Sequence, residues 1–117
     1  MIVGIGVDLV DLNRFESKLQ ETPALIERIF TPKERERSLQ SLAGVWASKE
    51  ALIKALGNPV GLNWQDVTVA NDDFGKPHLE VCGATKERSQ EMGIASWHLS
   101  ITHDGGMACA FVIAEGN

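Results

Sequence analysis

The sequence predicts an α+β fold in which an N-terminal strand is followed by helices and then by an antiparallel β-meander. Three observations support this prediction. Residues 2–9 form an apolar, strand-like run, residues 31–57 follow a helical pattern, and residues 66–114 hold short alternating segments separated by turns. With 117 residues, the chain fits one domain, residues 1–117.

The first strand carries a carboxylate. One face of the strand holds Gly4, Gly6 and Asp8, and the two glycines leave room beside the carboxylate for a ligand or another backbone. A charge in an apolar strand is costly unless it is paired or binds a cation. We expect the strand to be buried, with these apolar side chains on its other face: Val3, Ile5, Val7 and Leu9.

Polar residues predict the starts of the helices. Asp11 is placed to cap a helix through about residue 20. The pairs Thr22-Pro23 and Thr31-Pro32 are each typical of an N-cap followed by proline in the first helical position. Glu34 adds a capping box to the second pair, so a helix is expected to begin at Thr31.

The longest helical pattern ends at Gly57 and brings Glu50 and Lys54 to one side of the helix. Such pairs are common on solvated helices, where they contribute about 0.2–0.5 kcal/mol. The same spacing suits a metal ligand followed by a phosphate-binding lysine. Lys49 falls in the apolar stripe, where it either extends to solvent or reaches a bound anion. The stripe consists of Leu42, Val45, Trp46, Ile53 and Leu56.

The second half of the chain predicts strands, turns and one short helix. Residues 75–77 (GKP) form an ordinary hairpin turn or present a cation on a stiff backbone. Ser100 and Thr102 either donate to a phosphate or face solvent, and His103 closes its strand, where binding residues often lie. The expected elements are strands at 66–71 and 78–81, a helix at 84–92 closed by Gly93, and strands at 96–103 and 107–114.

The final strand is apolar on both faces, which predicts burial on both sides. One face is expected to join the core. The small side chains of the other, including Ala110 and Val112, are expected to form a subunit contact that a charge would break. Helices that cover the second face within one chain are the alternative.

Charge and composition exclude several classes of protein. The net charge of −5 argues against nucleic-acid binding, and residues 58–117 carry all of it, so an anionic partner is expected to meet the first half. No apolar run spans a bilayer, and the apolar start lacks a basic leader. Cys82 and Cys109 have no metal-site spacing and are expected to be reduced, packed thiols in a cytoplasmic protein.

The order of the motifs resembles the holo-[acyl-carrier-protein] synthase family, the small bacterial type of 4′-phosphopantetheinyl transferase. The resemblance covers nearly the whole chain. Family members often carry arginine before the aromatic residue of the central helix, but here Val45 precedes Trp46. The matching segments are residues 4–10 (GIGVDLV), Phe30-Thr31 with Glu34, residues 46–57 (WASKEALIKALG), residues 75–77 (GKP) and residues 100–103 (SITH).

The resemblance implies a 4′-phosphopantetheinyl transferase-like fold and a reaction. The phosphopantetheine arm of coenzyme A moves to a serine of an acyl carrier protein, either free or part of a larger synthase, and adenosine 3′,5′-bisphosphate is released. The resemblance also implies Mg²⁺ held by Asp8 and Glu50, and a homotrimer with active sites between subunits. The residues implied around coenzyme A are Lys54, Gly75, Lys76, Pro77, Ser100 and His103.

Roles for individual residues follow from this chemistry. Glu50 is the candidate base for the serine proton, directly or through a metal-associated water, and Lys54 offsets developing charge. An acidic carrier protein would meet Arg14, Lys18 and Arg28 in the near-neutral first half. Two alternatives stay open: a Mg²⁺-dependent phosphohydrolase that uses the same residues, and a non-catalytic subunit that binds acyl carrier protein.

Overall fold

The computed structural model describes all 117 residues and confirms the α+β class. A short 3₁₀ turn, Trp64–Asp66, separates the helical first half from the hairpins of the second. In chain order the elements are β1 (Ile2–Asp11), α1 (Leu12–Glu21), α2 (Leu25–Ile29), α3 (Leu39–Ala55), β2 (Val67–Asn71), β3 (Pro77–Val81), α4 (Gly83–Glu91), β4 (Ile94–Asp104) and β5 (Met107–Gly116).

The strands form two antiparallel sheets. One is three-stranded, in the order β1-β5-β4, and the other is the β2-β3 hairpin. The later strands are therefore two hairpins in separate sheets and not one continuous meander. β5 lies in the centre of its sheet because β1 pairs along it, with Asp8 opposite Ala110 and Val7 opposite Phe111.

Helix α3 packs directly on the inner face of the three-stranded sheet. A Cβ at Gly4 would meet the backbone carbonyl of Ala55, and a Cβ at Gly6 would meet that of Ala51. Of the two uses that the sequence left open for these glycines, the close approach of another backbone is the correct one. The contact brings Asp8, the next residue on that face of β1, alongside the second half of α3.

The small residues of β5 lie beneath α3. Ala110 and Val112 are fully buried in the core, so the prediction that they form a subunit contact was wrong. Alternation predicts that a strand has two faces, but it does not tell which face meets the helix; small side chains suit this one because α3 lies so close. The exposed face of the sheet instead presents Val7, Leu9 and Phe111, which are 49%, 60% and 42% exposed. The predicted burial of β1 on both faces is therefore absent within one chain.

The helix starts were predicted with mixed success. Asp11 caps α1 as expected, and its Oδ1 accepts a hydrogen bond from the Arg14 amide at 3.0 Å. The prediction of a helix from Thr31 was wrong, because turns precede α3 and Ser38 is its N-cap. Half of the predicted capping box nevertheless forms, since the Thr31 amide donates to Glu34 Oε1 at 2.8 Å.

A buried ion pair joins three parts of the chain. Lys49 Nζ donates to Glu34 Oε1 at 2.7 Å, to the Ile29 carbonyl at 2.7 Å and to the Trp64 carbonyl at 3.1 Å. The Val69 amide donates to Glu34 Oε2 at 2.7 Å. Both side chains are 0% exposed. Lys49 therefore neither extends to solvent nor reaches an anion site, and both interpretations offered by the sequence were wrong.

The remaining predictions concern the cysteines and the membrane. Both cysteines are free, but Cys82 is exposed and Cys109 is only partly buried, so the prediction of packed thiols was wrong for Cys82. None of the helices has the length and apolar character needed to cross a membrane.

Candidate active site

Asp8 and Glu50 line one cavity of about 220 Å³, which we call the acidic cavity. β1 contributes Asp8, α3 contributes Glu50, and α1 closes the side with basic and aromatic residues. The sequence placed the two carboxylates on different elements, and the close contact between β1 and α3 brings them together. The cavity is lined by Asp8, Leu9, Val10, Asp11, Arg14, Phe15, Lys18, Trp46 and Glu50.

Lys54 binds Asp8 and not Glu50. Its Nζ donates to Asp8 Oδ1 at 3.0 Å and to the Val7 carbonyl at 2.9 Å. The ion pair between Glu50 and Lys54 along the helix, which the sequence left open, is not among the salt bridges of the structure. Lys54 thus balances the charge of Asp8, and Glu50 has no bonded cation.

The surroundings of Glu50 favour its protonated form. Burial is the main cause that raises the pKa of Glu50, and the negative charge of Asp8 raises it further. The Trp64 side chain and the charge of Lys54 lower the pKa of Glu50 without reversing the shift. A carboxylate of this kind is suited to accepting a proton or to binding an additional cation.

The donor set of the acidic cavity fits a hard divalent cation. Asp8 and Glu50 supply carboxylate oxygens, and only Asp8 has a salt-bridge partner, Lys54. No group of three or more His, Cys, Asp or Glu side chains lies close enough to form a complete metal cage. A cation here would therefore complete its coordination with water or substrate oxygens. Mg²⁺ commonly binds in this way, with one or two carboxylates and several waters.

Two of the three predicted partner-binding residues line the acidic cavity. Arg14 and Lys18 project from α1 beside Phe15. Arg28 is exposed near the end of α2 and does not line the cavity. An apolar cavity of about 150 Å³ adjoins the acidic one, because Phe15, Lys18 and Trp46 line both. The sequence did not predict this second cavity, since its walls come from three helices and the 3₁₀ turn.

The predicted coenzyme A residues are divided among several places. Gly75, Pro77 and His103 line a cavity of about 370 Å³ beside the N-terminal part of α3, which we call the hairpin cavity. His103 Nε2 lies 3.0 Å from the Gln40 carbonyl, which fixes the ring against that helix. Lys76 is exposed in the hairpin turn, between two residues that line the cavity. Lys54 belongs to the acidic cavity region, so a single helix connects the two groups.

Ser100 lies apart from His103. It pairs with Phe111 across β4 and β5 and is exposed on the outer face of the sheet, whereas His103 reaches α3 on the inner side. Arg37 and Val45 both line the hairpin cavity, and the Arg37 guanidinium donates to the Val69 carbonyl at 2.6 Å. The sequence missed Arg37, because it belongs to a run of mixed charges that is typical of a solvated surface.

Comparison with known proteins shows a consistent set of relatives. A family model described as the 4′-phosphopantetheinyl transferase superfamily matches residues 4–112. A holo-[acyl-carrier-protein] synthase of Kocuria rhizophila is 54% identical over 98% of this chain and 94% of that protein. One from an Arthrobacter species is 50% identical over 99% of this chain and all of that protein, 100%.

Solved structures show the same likeness. The holo-[acyl-carrier-protein] synthase of Neisseria meningitidis has a TM-score of 0.90 and 31% identity, covering 98% of this chain and 99% of that one. The Helicobacter pylori synthase, solved in complex with coenzyme A, has a TM-score of 0.84 and 31% identity, covering 95% of this chain and 99% of that one.

Proposed function

Because this chain belongs to the holo-[acyl-carrier-protein] synthase family of 4′-phosphopantetheinyl transferases, we propose that it modifies a serine of an apo-acyl carrier protein. The serine oxygen attacks the phosphorus that carries the pantetheine arm of coenzyme A. Its bond to phosphorus forms as the diphosphate bond breaks, and adenosine 3′,5′-bisphosphate leaves. The observation that carries this proposal is the meeting of Asp8 and Glu50 at one cavity, with Lys54 bonded to Asp8.

Asp8 and Glu50 are the residues that would hold Mg²⁺. Their carboxylate oxygens fit that ion, and Glu50, which has no salt-bridge partner, supports the assignment. When bound, Mg²⁺ would neutralise the charge of the diphosphate oxygens.

The side chains of the acidic cavity also suit the transfer itself. Lys54 is 46% exposed, so its ammonium group is accessible to phosphate oxygens as charge builds on them. Glu50 is the candidate acceptor of the serine proton, directly or through a water, because its raised pKa brings its proton affinity closer to that of an effective base. Phe15 and Trp46 form apolar walls of the cavity.

The nucleotide end of coenzyme A is assigned to the hairpin cavity. Arg37 and His103 supply cationic or hydrogen-bonding groups there, and Gly75 and Pro77 form a stiff wall. Lys76 would approach from the turn. Gly44, which lines this cavity, precedes Glu50 by six residues, or about 9 Å along a helix.

Assembly is proposed to complete the site. The exposed apolar face that holds Val7, Leu9 and Phe111 supports a homotrimer in this cytoplasmic enzyme. In such a trimer, Ser100, which lies on the same face, would act in a site shared between neighbouring chains. An acidic carrier protein would be received by Arg14 and Lys18 at the acidic cavity, with Arg28 outside it.

Mass spectrometry of a carrier protein tests the proposed reaction directly. Purified enzyme, coenzyme A and Mg²⁺ should add one phosphopantetheine group to apo-acyl carrier protein. Asp8→Asn and Glu50→Gln should each fold and lose most of this activity, whereas Glu87→Gln, on exposed α4, should retain it. Full activity in either cavity variant would contradict the shared site. Release of inorganic phosphate without modification would favour a phosphohydrolase, and binding without reaction would favour a non-catalytic subunit.

Kinetics with coenzyme A test the assignment of the hairpin cavity. Lys76→Ala and His103→Ala should raise the KM for coenzyme A more than Lys86→Ala or Arg88→Ala. The first two residues lie in or beside the hairpin cavity, and the other two are exposed on α4. If both pairs of substitutions raised the KM for coenzyme A equally, the assignment of the nucleotide to this cavity would be wrong.

A further inference from the structure

Lys54 already bonds to a carboxylate that the proposed metal site needs. Its Nζ lies 3.0 Å from Asp8 Oδ1 and 2.9 Å from the Val7 carbonyl. The Asp8 side chain is only 19% exposed, so most of its access to ions lies through the acidic cavity. Any cation that binds this carboxylate must contend with the ammonium group already there.

We propose that Lys54 is an exchangeable counter-ion of Asp8, which releases Asp8 Oδ1 when a divalent cation binds and so becomes available to the anionic substrate. This inference rests on the proposed function, because it takes Asp8 and Glu50 as the metal ligands. In this proposal Lys54 and the divalent cation compete for Asp8 Oδ1. Substrate-free enzyme holds its carboxylate with a lysine, and the lysine and the divalent cation exclude one another from the same oxygen.

The two lysines of α3 differ in the freedom that such an exchange requires. Lys49 is fully buried and donates to three acceptors, so its position is fixed. Lys54 is 46% exposed and lies in the last turn of the helix. Its four-carbon side chain can change rotamer without moving the backbone. The ion pair with Asp8 is therefore of the partly exposed kind that contributes little stability and breaks easily.

Charge repulsion makes the competition measurable. A divalent cation on Asp8 and an ammonium group about 5 Å away repel each other enough to weaken cation binding roughly tenfold, even in a water-like dielectric. Removing the lysine charge should therefore tighten cation binding in the absence of substrate. The same substitution should weaken coenzyme A binding. These opposite signs distinguish an exchangeable counter-ion from a lysine that merely supports the fold.

Mn²⁺ titration followed by electron paramagnetic resonance, with Mg²⁺ as competitor, provides the first test. Without substrate, Lys54→Met should bind Mn²⁺ about five- to tenfold more tightly than the wild type, and Lys54→Arg should stay near the wild type. Lys18→Met is the matched control, because Lys18 lines the same cavity without bonding to Asp8. Its effect should be less than about twofold. Unchanged or weaker Mn²⁺ binding in Lys54→Met, or an equal gain in Lys18→Met, would overturn the proposal.

The linkage between metal and substrate provides the second test. Mg²⁺ should increase the affinity for coenzyme A by a larger factor in the wild type than in Lys54→Met, because only the wild type has a lysine to release. If Mg²⁺ increased the affinity for coenzyme A by the same factor in both proteins, Lys54 would not move from Asp8 to the substrate.

Failure of this inference can be separated from failure of the proposed function. If Asp8→Asn abolishes Mn²⁺ binding but Lys54→Met does not tighten it, the metal site stands and only the exchange is wrong. If the wild type and Asp8→Asn bind Mn²⁺ equally, the metal assignment and the exchange are both wrong. Modification of the carrier protein is measured independently, by its mass.

Discussion

The fold raises the pKa of Glu50, which suits a proton acceptor, but it makes the ionised carboxylate unfavourable for stability. Because the pKa of Glu50 is raised in the folded protein, Glu50 favours the folded state at low pH, and this contribution is lost as pH rises from the unfolded value through the folded one. In metal-free buffer, Glu50→Gln should therefore have a higher Tm than the wild type at pH 7. The difference should shrink towards pH 4.

Thermal unfolding in the presence of a chelator measures this difference. Glu36→Gln is the control, because Glu36 is exposed in the turn that precedes α3. If Glu50→Gln had the same Tm as the wild type at every pH, the fold would not destabilise the ionised carboxylate of Glu50.

Lys49 should be the most sensitive lysine for stability. Lys49→Met leaves Glu34 buried with an unpaired charge, and breaking buried pairs in this way typically costs about 3–5 kcal/mol. Lys33→Met is a suitable control, because Lys33 lies 3.8 Å from Glu80 at the surface and such pairs contribute only about 0–1 kcal/mol. Urea unfolding compares the two variants. If both variants lost the same free energy of unfolding, the buried ion pair would not contribute more to stability than the surface pair.

These residues show what a sequence can and cannot predict. Asp8 lies on a glycine-bearing strand face and Glu50 at the margin of a helical stripe, so local patterns single out each residue, and the family resemblance supplied the expectation that they meet. Glu34 is different. Its local capping interaction with Thr31 was predicted, but its partners Lys49 and Val69 come from distant segments, and no local pattern encodes a long-range contact of this kind.

The packing of β1 against α3 leaves no room for a side chain at the contact. Gly6→Ala places a Cβ against the backbone carbonyl of Ala51, and relief requires the strand and helix to separate. Overpacking of this kind typically costs about 1–3 kcal/mol. The variant should also lose activity, because separation moves Asp8 away from Glu50.

Two measurements check this prediction at the level of the element. Urea unfolding should show the loss of stability, and the carrier-protein assay should show a loss of rate even at temperatures where the variant is folded. Ala51→Gly added to Gly6→Ala should not rescue either property, since the obstacle is a carbonyl and not a side chain. A fully stable and active Gly6→Ala variant would show that β1 and α3 can accommodate a Cβ at this contact.

Element boundaries were predictable where the signal is a side chain that binds its own neighbours. Asp11 is such a case, and so is the hairpin turn, in which Asp72 Oδ1 accepts from the Phe74 and Lys76 amides at 2.8 and 2.9 Å. Thr31 does not begin a helix, although Glu34 Oε1 accepts from its amide: the same oxygen also accepts from Lys49, turns follow, and α3 begins after Ser38.

At the scale of the whole molecule, the exposed face of the three-stranded sheet is the surface to test. Phe111→Asp places a charge at the centre of the apolar face without entering the core, so the subunit should fold while the proposed trimer should not form. Activity should fall with the assembly if the site is shared between chains. Gln90→Glu adds the same charge on exposed α4 and should leave the assembly intact.

Light scattering gives the mass of each variant. A wild-type monomer, or a Phe111→Asp protein that remains trimeric, would contradict this assignment of the face. Placing the charge at Ala110 or Val112 would not test it, because both are core residues and the subunit itself would be expected to unfold.

The pairing of β1 with β5 affects how the chain folds during its synthesis on the ribosome. β1 pairs only with β5, so the segment that carries Asp8 leaves the ribosome with no partner strand until residues 107–116 have been synthesised. Contacts between such distant segments are slow to form. Until then β1 is an unpaired strand whose backbone groups are open, and it carries Ile5, Val7 and Leu9, which stay exposed on the folded subunit as well. The β1 wall of the acidic cavity therefore gains its partner strand only after β5 has been made.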